Sequence, residues 1–108
     1  MLSQLAWKSR NVPTWSAEPR FNREFWKLSA DDQARLRRVV ADLVRDLKAG
    51  SAFSPGLRVK RVQGTKSVFE LTWAPDGRAT FEFAQPIHNG EAHVIWRRCG
   101  GHEIFADP

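Results

Sequence analysis

The chain holds one cysteine, one methionine and no tyrosine in 108 residues. The single thiol, Cys99, cannot close an internal disulfide, so a disulfide-stapled scaffold is excluded and the cytoplasm is the expected compartment. One cysteine with three histidines gives no zinc-ligand cluster of familiar spacing, and neither a metal nor another cofactor is expected. No run of about 18 apolar residues is present, so no membrane span is expected. Met1 to Arg10 lacks the apolar core of a signal peptide. There is no internal repeat and no low-complexity tract.

What is present is the material of one globular domain. Hydrophobic residues make up 42% of the chain, enough for one core and too many for a disordered segment. The net charge is +5 and the isoelectric point about 10.1, which points to an anionic partner such as RNA, DNA or an acidic protein. Residues 1–54 carry ten Lys and Arg against six Asp and Glu, and residues 55–108 carry seven against six.

Residues 1–12, around Trp7, read as a loosely held arm. A short strand is expected near Val12 to Trp15, confined to a sheet edge by Pro13. In "EPRFNREFWKLS", Pro19 suits a first helical turn, and Phe21, Phe25 and Leu28 recur at helical spacing. A second helix is predicted over 30–48. Ser29 is its N-cap, Asp31 and Asp32 meet the positive end of its dipole, and Gly50 stops it. Leu36, Val39, Val40, Leu43, Val44 and Leu47 form its apolar stripe. Asp31/Arg35 and Arg38/Asp42 are spaced for i,i+4 ion pairs. With almost no linker, the two helices should form a hairpin.

After "SAFSPG" the period changes from helical to alternating. "LRVKRV" (57–62), "SVFELTW" (67–73), "RATFEF" (78–83) and "HVIWRR" (93–98) read as strands. Phe69, Leu71 and Trp73 share one face with Ala79, Phe81 and Phe83, leaving Glu70, Arg78, Thr80 and Glu82 on the other. Turns join successive strands, so the expected fold is α+β. An N-terminal helical hairpin packs on one face of a three- or four-stranded antiparallel sheet, and the other face is open.

Three stretches, "FNREFWKLSADDQARL", "LRVKRVQGTKSVFELTWAPDGRATFEF" and "HVIWRRCGGHEIF", together resemble the RelE/ParE superfamily of toxins from bacterial type II toxin–antitoxin modules. The resemblance covers residues 15 to 105 and rests on order and pattern rather than on one signature. It implies a sheet with a concave, basic, open face. It also implies one of two activities: cleavage of mRNA on the translating ribosome, or inhibition of DNA gyrase without chemistry. Either would be held in check by an acidic antitoxin, in a toxin–antitoxin hetero-oligomer.

Metal-independent RNA cleavage needs a base for the 2′-hydroxyl, an acid for the 5′-oxygen and cations for the phosphate. The resemblance places Arg78 at the family's phosphate-contacting arginine and His102 in the C-terminal loop that often carries catalytic groups. Glu70, Arg78 and His102 are the candidate base, clamp and acid. Arg97 or Arg98 would add charge; strand alternation sends the two to opposite faces, leaving one on the open side. Arg58, Lys60, Arg61 and Lys66 form an acid-free basic run suited to phosphates. Phe105 stands where the family frequently has a tyrosine and can stack a base without exchanging a proton. Glu70 and Thr72 stand where some members have lysines. These departures keep open the gyrase-type inhibitor and an inactive nucleic-acid-binding relative.

Overall fold

The computed structural model describes residues 14–50, 52–87 and 91–108. The expected arm, with Trp7, and the turn carrying His88 lie outside the described residues. Helix α1 is Pro19–Lys27 and helix α2 is Ala30–Ala49. Pro19 opens α1 because its fixed φ suits a first turn and its missing N–H is not needed there. Ser29 Oγ accepts from Asp32 N at 3.1 Å, capping α2. Gly50 ends it in the left-handed region, at φ +67°, which only glycine enters without cost. Leu36 and Leu43 are fully buried, and Val39, Val40 and Leu47 pack beside them. The surface ion pairs differ from the expected ones: they are Asp32–Arg35 and Asp42–Arg45, both i,i+3.

The sheet corrects the expected topology. It has five strands, β1 Thr14–Ala17, β2 Lys60–Arg61, β3 Val68–Thr72, β4 Arg78–Ala84 and β5 His93–Gly100, in the order β1-β5-β4-β3-β2. The last four pair antiparallel in succession. The first lies parallel to β5, with Thr14 opposite His93 and Ala17 opposite Trp96, so the sheet is mixed. Parallel pairing needs a long crossover, and α1 and α2 begin the one that returns the chain to this sheet. The strand expected over 57–62 shrinks to two residues. Pro55 starts a single 3₁₀ turn over Pro55–Leu57, and Arg58 follows in the left-handed region at φ 51°.

The helices cover the face that carries Leu71, Ala79, Phe81, Trp96 and Cys99. Ring contacts tie α1 to the strands: Trp96 lies 5.7 Å from Phe21 and 5.3 Å from Phe81 between centroids. The opposite face is less open than expected. Thr80 is fully buried on it, and its hydroxyl donates to the main-chain oxygen of Pro108 at 3.2 Å. A 3₁₀ turn over His102–Ala106 folds the chain back to make this contact. No helix among the described residues is long and apolar enough to cross a membrane.

Candidate functional site

The local chemistry begins at the β3–β4 turn, "APDGR". Trp73 N–H donates to Gly77 O at 3.1 Å and Gly77 N–H to Ala74 O at 3.0 Å. The Trp73 indole N–H donates to Arg78 O at 2.9 Å, and its ring lies flush against Gly77. A Cβ on Gly77 would come within 2.5 Å of the Trp73 ring, so the turn requires glycine for space. The Arg78 guanidinium curls over this turn. Its Nη1 donates to Gly77 O at 2.9 Å and to Ala74 O and Pro75 O at 3.3 Å. Among the described residues these bonds use Nη1 alone, leaving Nε and Nη2 for another acceptor.

His102 meets the same turn from the other side. Gly100 and Gly101 bring the chain off β5, and His102 Nδ1 hydrogen-bonds Asp76 Oδ1. Both side chains are more than half exposed. The bond to the imidazole, with the charges of His102 and Arg78, holds the Asp76 carboxyl below its ordinary range. A ring fixed through Nδ1 by a carboxylate keeps one orientation and presents Nε2. Phe105 stands edge-on to this ring, 5.9 Å between centroids. Asp76 is not among the residues singled out from the sequence. Its partner His102 lies 26 positions away, and no local pattern spans that distance.

Glu70 is placed apart from this pair. It is buried at 7% exposure and sits in register between Lys60 on β2 and Thr80 on β4. Arg78 is two register positions further along the sheet, opposite Thr72 and Gly100. No hydrogen bond or ion pair among the described residues joins Glu70 to Arg78 or His102.

Arg97 and Arg98 do not divide between the faces as alternation predicted. The pairing of β4 with β5 slips between Thr80 and Phe81: Thr80 is opposite Arg98, while Phe81 is opposite Trp96. Arg97 is the extra residue of a β-bulge, which brings two side chains to one side of the strand. Arg97 Nε donates to Pro108 O at 3.0 Å, and Arg98 Nη1 to Asp107 O at 3.3 Å. Both arginines are also taken up by carboxylates. Arg97 lies 3.5 Å from Glu18 and from Glu82. Arg98 forms a 2.6 Å pair with Glu24 of α1, and that carboxylate also accepts from Cys99 N–H at 3.4 Å. The Glu24 bond raises the Arg98 pKa further. By contrast, Arg58, Lys60, Arg61 and Lys66 are exposed and take part in no ion pair among the described residues. Among the described residues no group of three or more His, Cys, Asp or Glu is arranged to hold a metal ion.

Comparison with known proteins separates fold from sequence. No family model matches the chain, and no curated protein matches it in sequence. Solved structures do match. The toxin–antitoxin complex DinJ–YafQ of E. coli aligns with a TM-score of 0.63 at 14% identity, over 85% of this chain and 94% of that one. The RelB–RelE antitoxin–toxin complex of Methanococcus jannaschii aligns at 0.58 and 12% identity, over 84% and 94%. A YoeB/ParE toxin from Agrobacterium tumefaciens aligns at 0.57 and 13% identity, over 82% and 98%. The fold is RelE/ParE-like.

Within this RelE/ParE-like frame, the His102–Asp76 pair lies at the ends of β4 and β5, and the exposed basic run lies across the sheet on β2 and its flanks. Between them run the in-register residues Lys60, Glu70, Thr80 and Arg98. The arrangement places an exposed imidazole at one end of the sheet and exposed cations at the other.

Proposed function

We propose that this chain is the toxin of a type II toxin–antitoxin pair and acts as a metal-independent endoribonuclease on mRNA at the ribosome. The observation that carries the reading is the exposed His102–Asp76 pair beside Arg78. Cleavage then follows from groups in place. His102 Nε2 takes the 2′-hydroxyl proton, and the 2′-oxygen attacks the adjacent phosphorus. The 5′-oxygen leaves and takes a proton from solvent, giving a 2′,3′-cyclic phosphate and a 5′-hydroxyl. Arg78, through its uncommitted Nε and Nη2, holds the phosphate oxygens as charge develops. Phe105, beside the imidazole, stacks a base. Arg58, Lys60, Arg61 and Lys66 hold the flanking phosphates. Glu70, buried and with no hydrogen bond to Arg78 or His102 among the described residues, has no proton-transfer role in this reading. An acidic antitoxin covering the basic run would silence the site.

One observation favours a second reading, a gyrase-type inhibitor without chemistry. Arg97 and Arg98 are held by Glu18, Glu82 and Glu24 and are not free to stabilise a phosphorane. The test is primer extension on an mRNA translated in vitro. Discrete cuts that disappear with His102→Ala support the nuclease. Growth arrest without any cut transfers the assignment to the second reading.

A further inference from the structure

The 3₁₀ turn over His102–Ala106 carries both the imidazole and Phe105. Its own bonds are few: Ile104 N–H donates to Gly101 O at 3.3 Å and Asp107 N–H to Ile104 O at 3.1 Å. Five residues make a long run of 3₁₀ geometry, whose hydrogen bonds are poorly aligned. Ties from outside the turn must therefore fix the direction of the ring. Asp76 holds the start of the turn, through His102 Nδ1. Ile104, fully buried, anchors its middle. Its end is held from α1. Arg20 Nη1 donates to Asp107 Oδ2 at 2.8 Å, and Nη2 donates to Asp107 O at 3.3 Å. This two-pronged grip joins residues 87 positions apart.

Arg20 stands in the first turn of α1, which holds no acidic residue. A cation there meets the positive end of the helix dipole, where it is disfavoured. Its partner, and not its helix, accounts for a cation at this place. The bond to Arg20, with the charges of Arg20, Arg98 and Arg97, holds the Asp107 carboxyl below its ordinary range, so both partners are charged at neutral pH. The side chains of the pair are 33% and 75% exposed, and a surface pair of this kind adds little to global stability. Its effect is local, on the end of the turn.

We propose that Arg20 is a positioning residue for the cleavage site: through Asp107 it holds the His102 turn, so that the imidazole and Phe105 meet RNA in one orientation. Arg20 makes no hydrogen bond to His102 among the described residues and acts through Asp107. The proposal rests on the nuclease reading for its consequence in cleavage, and on the Arg20–Asp107 geometry for the hold on the turn.

The test compares the whole chain with Arg20→Ala, Asp107→Asn and Arg20→Lys. Arg23→Ala is the control: it removes the same charge from an exposed place on α1 that makes no ion pair among the described residues. Hydrogen exchange followed by NMR reads the turn. Arg20→Ala and Asp107→Asn should each lose protection at the Ile104 and Asp107 amides and keep it in β4 and β5, with an unchanged melting temperature. The two ring nitrogens of His102, separated in chemical shift while one tautomer is held, should draw together. Added salt should loosen the same two amides in the wild type and not in Arg20→Ala. Single-turnover cleavage on programmed ribosomes should show the maximal rate of both variants reduced about tenfold, the scale of a small misplacement, at an unchanged half-saturating concentration. Arg20→Lys should restore part of the rate, and Arg23→Ala should match the wild type. A wild type that cuts no RNA counts against the nuclease reading, and the exchange and ring measurements then decide the hold on the turn by themselves. The proposal is overturned if amide protection and ring shifts are those of the wild type in both variants. A raised half-saturating concentration at unchanged maximal rate in Arg20→Ala, with tighter binding in Asp107→Asn, overturns it by making Arg20 a phosphate contact. A faster maximal rate in Asp107→Asn also overturns it, and makes residues 107–108 a cover over the open face.

Discussion

His102 and Asp76, 26 positions apart, are joined through ring Nδ1 and carboxylate Oδ1. The bond closes two chain reversals on each other, the turn between β3 and β4 and the loop leaving β5. It gives the imidazole a fixed tautomer and a fixed direction, which an exposed histidine otherwise lacks. His102→Ala should lower cleavage by about 10²-fold or more, the scale of one acid–base group. Asp76→Asn keeps the shape but removes the charge and should cost about tenfold or more. Asp76 is held below its ordinary pKa of 3.8 and so stays ionised through the neutral range. Titration of Asp76 itself should therefore contribute no limb to the rate profile near neutrality, so Asp76→Asn should lower the rate without removing a limb there. Primer extension across a pH series with both variants checks this.

Much of the architecture was legible because it is written locally. Ser29 and Gly50 bracket α2 by capping chemistry, and Leu36 and Leu43 recur at the helical period. Phe69, Leu71, Ala79 and Phe81 alternate as a sheet with one covered face requires. What was not legible depends on non-local pairing. The parallel partnership of β1 with β5 joins Thr14 to His93, and nothing in "TWSA" announces a direction. The bulge at Arg97 is set by the slip in pairing with Thr80 and Phe81, and one extra residue defeats an alternation argument beyond it. Glu24 and Asp76 each look like ordinary surface acids until the fold brings Arg98 and His102 to them.

Glu24 is expected to matter more for stability than for chemistry. Arg98 is only 17% exposed and is paired to it at 2.6 Å. Glu24→Gln leaves a half-buried guanidinium without its countercharge and weakens the cap on Cys99 N–H. A loss of about 2 kcal/mol is expected, since hydrogen bonds to charged groups contribute about 1.5–3 kcal/mol. Urea denaturation of the variant measures it. If Arg98 instead serves the phosphate, Glu24→Gln would leave stability unchanged and raise RNA affinity.

Gly77→Ala tests the turn that carries Asp76 and Arg78. The added methyl would meet the Trp73 ring at 2.5 Å, so the indole or the turn must move. Overpacking of this kind costs about 1–3 kcal/mol. Displacing the turn also moves Asp76 off His102, so cleavage should fall along with melting temperature. Ala substitution at Gly56, where nothing lies within 4 Å of the added methyl, should leave both unchanged.

The acid limb of stability should trace in part to Asp46. Its carboxylate accepts from Ser54 N at 2.8 Å and Ser54 Oγ at 2.9 Å. The backbone bond, then the hydroxyl bond, hold its pKa below the ordinary 3.8. A depressed carboxylate contributes stability that is present above the unfolded value and lost as pH falls through the folded one. The contribution therefore disappears below pH 3.8 and not near neutrality. Asp46→Asn should flatten the fall of melting temperature in that range and leave its slope between pH 5 and 8, about where stability is ordinarily greatest, unchanged.

Cys99 makes the corresponding case at the alkaline end. The thiol is 1% exposed and packs against α1, with Sγ 3.8 Å from Phe21 O. Burial, with the nearby charge of Glu24, pushes its pKa from 9.0 up to about 12. The thiolate is the reactive form, so the folded protein should resist thiol reagents at neutral pH and react fully once unfolded in urea. The linkage has the opposite sign to that of Asp46. Between pH 9.0 and about 12 the unfolded chain has lost the thiol proton and the folded chain has kept it, so stability falls as pH rises. Cys99→Ala removes this titration, and its stability should decline less steeply over that interval than the wild type's. Equal slopes for the two proteins, or rapid labelling of the folded wild type at neutral pH, would show that the thiol is not held protonated in the core.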